Sequence, residues 1–174
     1  MARLSGNTMK NRRNTLLGLG ALSAWLAGAR ALFTSSPAQA AAPARVYAFS
    51  KTDAEWKALL KPDQYAVLRR AGTERPHSSP LNQEKRAGTY SCAACALPLF
   101  ASGTKFESGT GWPSFWKPLD QAVVEEIDRS LFMTRTEVLC RRCGGHLGHV
   151  FTDGPRPTGL RYCMNGIALN FASA

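Results

Sequence analysis

Hydrophobic and polar positions change rhythm twice along the chain. Residues 1–40 open with a polar, basic stretch ending at Arg12-Arg13, pass into the Gly/Ala-rich apolar run Leu16–Ala29, and close on Ala38-Gln39-Ala40. A basic start, an apolar core and a small-x-small end predict a targeting segment. The apolar run is 14 residues long, short of the roughly 20 that span a bilayer. Paired arginines before a weakly apolar core predict export by a twin-arginine route to a bacterial periplasm. The phenylalanine often found two residues after such a pair is absent. An ordinary secretory signal, an organellar transit peptide and an uncleaved anchor stand as alternatives.

After a short linker at 41–50 the rhythm becomes helical. Thr52-Asp53-Ala54-Glu55 reads as a capping box, and Trp56, Leu59 and Leu60 form the apolar stripe behind it. A second helix is predicted from Pro62 to a stop at Gly72, with Tyr65, Val67 and Leu68 toward the core. Residues 73–86 are polar, contain two prolines and read as a loop. From Gly88 onward the apolar runs are short and broken by Gly, Pro and Asp: Ala122–Ile127, Leu131–Leu139, His146–Phe151 and Leu160–Phe171. These predict antiparallel strands, so residues 51–174 form a mainly β domain.

Charge changes this picture little once it is located. The chain of 174 residues carries a net charge of +10, but residues 1–40 hold five basic side chains and no acid. The remaining 134 residues carry 17 basic and 12 acidic groups, without a run of five like charges. That is a solvated basic surface, and it predicts no nucleic-acid partner.

The cysteines change it more. Cys92-Ala-Ala-Cys95 and Cys140-Arg-Arg-Cys143 are two Cys-x-x-Cys pairs 44 residues apart. Each pair aims two sulfurs from one tight turn, and two such turns complete a four-cysteine zinc site. Gly144-Gly145 lets the backbone fold around the metal. Disulfides or a redox-active Cys-x-x-Cys are the alternative in an exported protein. The fifth thiol, Cys163, lies in Arg161-Tyr162-Cys163-Met164-Asn165. In a strand, Arg161, Cys163 and Asn165 share one face, and the guanidinium favours a thiolate. Buried filler is the other reading of a single strand cysteine. His146 and His149, three apart, point to opposite faces of a regular strand unless Gly148 marks a bulge. Beside a nucleophile such a pair suits acid–base work. Trp112 and Trp116 in a Gly/Pro loop are either core anchors or walls of a small apolar pocket.

Taken together, these residues resemble one family. Cys-x-x-Cys at 92–95, Ser108–Phe115 (SGTGWPSF), Cys-x-x-Cys at 140–143, His146–Asp153 (HLGHVFTD) and Gly159–Asn165 (GLRYCMN) follow the order and spacing of B-type methionine sulfoxide reductases. The resemblance covers about residues 50–171. It implies two antiparallel β-sheets with short N-terminal helices, a structural zinc, and reduction of the R epimer of methionine sulfoxide in proteins. It further implies Cys163 as nucleophile and His149 as proton donor supported by His146. Arg161 would favour the thiolate, Asn165 and Asp153 would order the polar side, and Trp112 would take the substrate methyl. A thioredoxin-like or other thiol reductant would be the partner. Two departures matter. Thr110 stands where many members carry a resolving cysteine, which predicts a one-cysteine recycling mode. Gly166-Ile167-Ala168-Leu169-Asn170 replaces a more typical Ser-Ala-x-Leu-Arg run. A non-catalytic zinc-bearing β-domain and a basic zinc ribbon are the rival classes.

Overall fold

The computed structural model describes residues 45–130 and 133–174, so the leader and the first part of the linker lie outside the described residues. The first helix, α1 (Asp53–Leu59), begins at the expected box: Thr52 Oγ1 accepts from the Glu55 N–H, and the Glu55 carboxylate takes the Thr52 N–H at 2.7 Å. Trp56 is its buried residue, packed edge-on against Phe49 with ring centroids 5.6 Å apart. The second helix, α2 (Pro62–Arg70), buries Val67 and Leu68 and leaves Tyr65 half-buried. It ends earlier than the expected stop at Gly72, because Ala71 takes the left-handed conformation at φ 51°. Gly72 is still required, since a Cβ there would lie 2.8 Å from the Ala66 carbonyl oxygen.

Nine strands follow among the described residues: β1 (Gly88–Cys92), β2 (Pro98–Ala101), β3 (Lys105–Phe106), β4 (Ser114–Phe115), β5 (Val123–Asp128), β6 (Arg135–Cys140), β7 (His146–Phe151), β8 (Arg161–Met164) and β9 (Leu169–Ser173). They form two antiparallel sheets, ordered β2-β1-β9 and β3-β4-β8-β7-β6-β5. The expected strand Leu160–Phe171 is in fact two, separated by a 3-10 turn at Gly166–Ala168 that hands the chain from the large sheet to the small one. Of the expected strand Leu131–Leu139, residues 131–132 lie outside the described residues, and β6 begins at Arg135.

The core lies between the sheets. Tyr90, Leu99 and Phe100 of the small sheet meet Phe115, Tyr162, Met164, Val138 and Leu147 of the large one, all buried. Phe100 stacks on Phe115 at 4.3 Å, and Tyr90 meets the same ring edge-on at 4.9 Å. Burying one such ring stabilises by roughly 1.5–3 kcal/mol, so this cluster fixes where the large sheet turns its other face.

Candidate functional site

That other face is set by strand register. One cross-strand row reads Ser114 on β4, Cys163 on β8, His149 on β7 and Glu137 on β6. The next positions along the strands place Phe151 opposite Arg161 and Asp128 opposite Arg135. Directly opposed residues point to the same side of a sheet. Groups from five strands, 49 residues apart at the extremes, thus share one surface.

The bulge that the sequence raised as a condition is present. Val138 pairs with Gly148 and Leu139 with His146, so Leu147 is the extra residue on β7. The inserted residue reverses the alternation, and the rings of His146 and His149 come to 5.4 Å, edge to face. The two do different things. His149 lines a cavity of about 130 Å³ together with Thr73, Trp112, Arg135, Phe151, Cys163 and Asn165. His146 lies behind it, 4% exposed, with Nδ1 2.5 Å from Glu137 Oε1. A larger groove of about 610 Å³ at Pro80, Leu81 and Phe171 holds no cysteine, so volume does not mark the chemistry here.

Cys163 is half-buried and reduced. Its sulfur lies 3.6 Å from Thr110 Oγ1, the first link of a hydroxyl chain. Ser108 Oγ is 2.8 Å from Thr110 Oγ1 and 2.7 Å from Ser114 Oγ, which donates to the Trp112 carbonyl at 3.2 Å. Arg161 makes two 2.9 Å bonds to Asp153 and lies over the Phe151 ring at 4.4 Å. Asp153 raises the Arg161 pKa above its ordinary value against the lowering effect of burial, and Cys163 adds to it. Asp153 is 64% exposed, and neither it nor Arg161 lines the cavity itself. Asn165 is 3% exposed: its Oδ1 accepts from the Glu74 N–H at 3.0 Å, and its Nδ2 donates to the Leu147 carbonyl at 3.2 Å.

Three contributors are invisible to local sequence patterns. Glu74 sits in the loop after α2 and holds the pocket from behind. Its carbonyl accepts from Trp112 Nε1 at 3.2 Å, and its carboxylate takes the N–H groups of Gly166 and Ile167 at 2.5 and 3.0 Å. Burial pushes its carboxyl above the usual range, against the two backbone donors. Asp128 and Arg135 pair at 2.7 Å, and Asp128 Oδ2 also lies 2.9 Å from His149 Nε2. Hydrogen bonds from Ser130, His149 and Arg135 hold the Asp128 carboxyl well below the usual carboxylate range. Only the folded register brings Asp128 and Arg135 to His149.

The four other cysteines converge. Cys92 ends β1, Cys140 ends β6, and the two turns that follow are built alike. Ala96 and Gly144 both take positive φ, at 57° and 66°, and each returns its N–H to the first cysteine's carbonyl at 2.8 Å. Gly144 is needed twice over, because a Cβ there would enter the Tyr47 ring at 2.3 Å. All four sulfurs lie within 4.8 Å of one another, with Cys92–Cys143 at 3.7 Å and Cys95–Cys140 at 3.5 Å. A disulfide needs about 2 Å, whereas four thiolates at about 2.3 Å from one zinc stand about 3.8 Å apart. The cluster can hold a metal ion, and all five thiols are free.

Comparison with known proteins agrees with this arrangement. The SelR domain matches residues 60–173. The chain belongs to the SelR domain family. It is 60% identical over 122 residues to a peptide methionine sulfoxide reductase MsrB of Pseudomonas putida, covering 70% of this chain and 92% of that protein. An MsrB of Methanosarcina barkeri is 58% identical over 126 residues, 71% of this chain and 88% of the relative. One of Leptospira interrogans is 55% identical over 126 residues, 72% and 96% respectively. The SelR match thus spans every strand and all five cysteines.

Proposed function

We propose that this SelR protein reduces the R epimer of methionine sulfoxide within proteins, with Cys163 as the nucleophile. The observation that carries the reading is the small pocket itself: Cys163, His149, Trp112 and Arg135 meet around about 130 Å³, room for one thioether side chain. The Cys163 thiolate attacks the sulfoxide sulfur, and the oxygen takes one proton and ends on the cysteine. The products are methionine and a Cys163 sulfenic acid, the substrate sulfur gaining the two electrons that the cysteine sulfur loses. Arg161, fixed by Asp153, shares the Cys163 face of β8. Oxygen toward His149 and methyl toward the Trp112 indole select the epimer.

Recycling follows from the cysteine inventory. Thr110, not a thiol, stands beside the Cys163 sulfur, and the other four cysteines form the metal cluster. Two equivalents of an external thiol therefore return the sulfenic acid to the thiol, releasing water and a disulfide. A thioredoxin-like protein or a small thiol supplies them. Cys92, Cys95, Cys140 and Cys143 would hold one zinc ion, whose part is to cross-link the ends of β1 and β6. Residues 1–40 address the twin-arginine machinery, which moves folded, metal-loaded proteins to the periplasm.

The decisive assay uses purified protein, dithiothreitol and each epimer of a methionine sulfoxide derivative. Reduction of the R epimer alone, lost on Cys163→Ser, is the expected outcome. A zinc-loaded, reduced protein that leaves the R epimer untouched overturns the reading.

A further inference from the structure

His149 holds one of its nitrogens out of the chemistry. Its Nε2 lies 2.9 Å from Asp128 Oδ2, and a carboxylate oxygen only accepts, so this nitrogen carries the proton. The same oxygen accepts from Arg135 Nη2 at 2.7 Å, while Asp128 Oδ1 takes the Ser130 N–H at 2.8 Å. Arg135 is a member of the catalytic pocket, and its Nε is buried without a hydrogen bond among the described residues. An anion and a cation thus bracket one imidazole, each fixed by the other.

We propose that Asp128 and Arg135 are paired positioning residues for His149, locking its Nε2–H tautomer and setting from opposite sides how readily the ring takes a second proton. The inference rests on the reductase reading for what that proton does. With Nε2–H committed to Asp128, the neutral ring has no proton to give from Nδ1. His149 therefore acts as an acid only as imidazolium, passing the Nδ1 proton to the sulfoxide oxygen as Cys163 takes that oxygen. The ring is left neutral and still bonded to Asp128.

The surroundings bear this out group by group. Burial lowers the His149 pKa below its ordinary value, Asp128 opposes that, and Arg135 and His146 add to it. Glu137, opposite His149 on β6, is taken by His146 at 2.5 Å. Arg161 on β8 is taken by Asp153 at 2.9 Å, and the remaining neighbour is Cys163 itself. Asp128 and Arg135 are the charged pair placed to tune the ring in opposite directions.

The test is a histidine NMR titration of the reduced, zinc-loaded protein, with the pH profile of R-sulfoxide turnover measured in parallel. Asp128→Asn removes the anion and should move the His149 midpoint down by about one pH unit. The same variant should bring the alkaline limb of turnover down with it. Arg135→Gln removes the cation and should move both up by about one unit, whereas Arg135→Lys should leave them near wild type. Midpoints that stay put, or that shift in one direction for both variants, overturn the proposal, because a purely structural pair has no reason to split the sign. If Asp128→Asn does not fold, the Gln and Lys variants of Arg135 decide alone. The titration contains no substrate, so its result stands apart from whether the protein reduces methionine sulfoxide.

Discussion

The bulge at Gly148 carries fold and chemistry at one position, and replacing that glycine by alanine should damage both. Gly148 has φ 154°, and a Cβ built there would lie 2.2 Å from the Cys163 carbonyl oxygen and 3.0 Å from Met164 Cα. Both contacts are backbone, so no side chain can swing aside. An ordinary carbon–oxygen contact of about 3.2 Å requires β7 to retreat from β8 by about 1 Å in an interior packed near crystal density. Overpacking of this kind costs about 1–3 kcal/mol. Loosening the ladder where His149 pairs with Cys163 adds about 1 kcal/mol for each bond lost. A total near 3 kcal/mol is a large part of the roughly 5–15 kcal/mol that holds a domain.

The same displacement separates His149 from Cys163, and about 1 Å at a reacting pair is worth about 10²-fold in rate. Urea denaturation of the zinc-loaded protein measures the first effect, and single-turnover reduction of an R-sulfoxide below the denaturation midpoint measures the second. Gly103→Ala is the control, since a Cβ at Gly103 meets nothing within 4 Å; its expected cost is below about 0.5 kcal/mol. A Gly148→Ala protein with the control's stability and wild-type turnover would refute the account of β7 given above.

Three further outcomes follow from the same geometry. Cys92→Ser should lower bound zinc from one equivalent and drop the melting temperature far more than Cys163→Ser does, by metal analysis and thermal denaturation; equal losses would place the metal elsewhere. After one equivalent of R-sulfoxide without reductant, mass spectrometry should find Cys163 as a dimedone-trapped sulfenic acid, and an internal disulfide to Cys163 would sink the one-cysteine mode. Glu74→Gln leaves one of the Gly166 and Ile167 N–H groups without its oxygen. It should cost about 1–3 kcal/mol in denaturant and raise KM through Trp112, and an unchanged KM would detach Glu74 from the pocket.

The residues legible in the sequence are those whose chemistry is local. Thr52 and Glu55 cap α1 across three positions, and each Cys-x-x-Cys turn is complete within five residues. Arg161 and Cys163 share a face by strand alternation alone, which needs no partner strand. The histidine pair is half legible: Gly148 flags the bulge, but only pairing with β6 shows that His149 reaches the cavity while His146 stops at Glu137. Asp153 is legible as the end of the His146–Asp153 motif, but that it acts by holding Arg161 with two bonds shows only in the fold.

Asp128 and Arg135 cannot be read from the sequence at all, for a physical reason. On a half-exposed strand an acid or an arginine is the default surface residue, and nothing within its own segment distinguishes one that faces a nucleophile. The distinction is made by register: Asp128 opposite Arg135, and His149 opposite Cys163 one strand further on. Since register here is pinned by the Gly148 bulge, the charges that tune His149 and the turn that aims it stand or fall together. A shift of one residue in the β6–β7 pairing would send both to the wrong face. The electrostatics of this pocket are therefore a property of strand pairing, and the variants at 128, 135 and 148 probe one device from three positions.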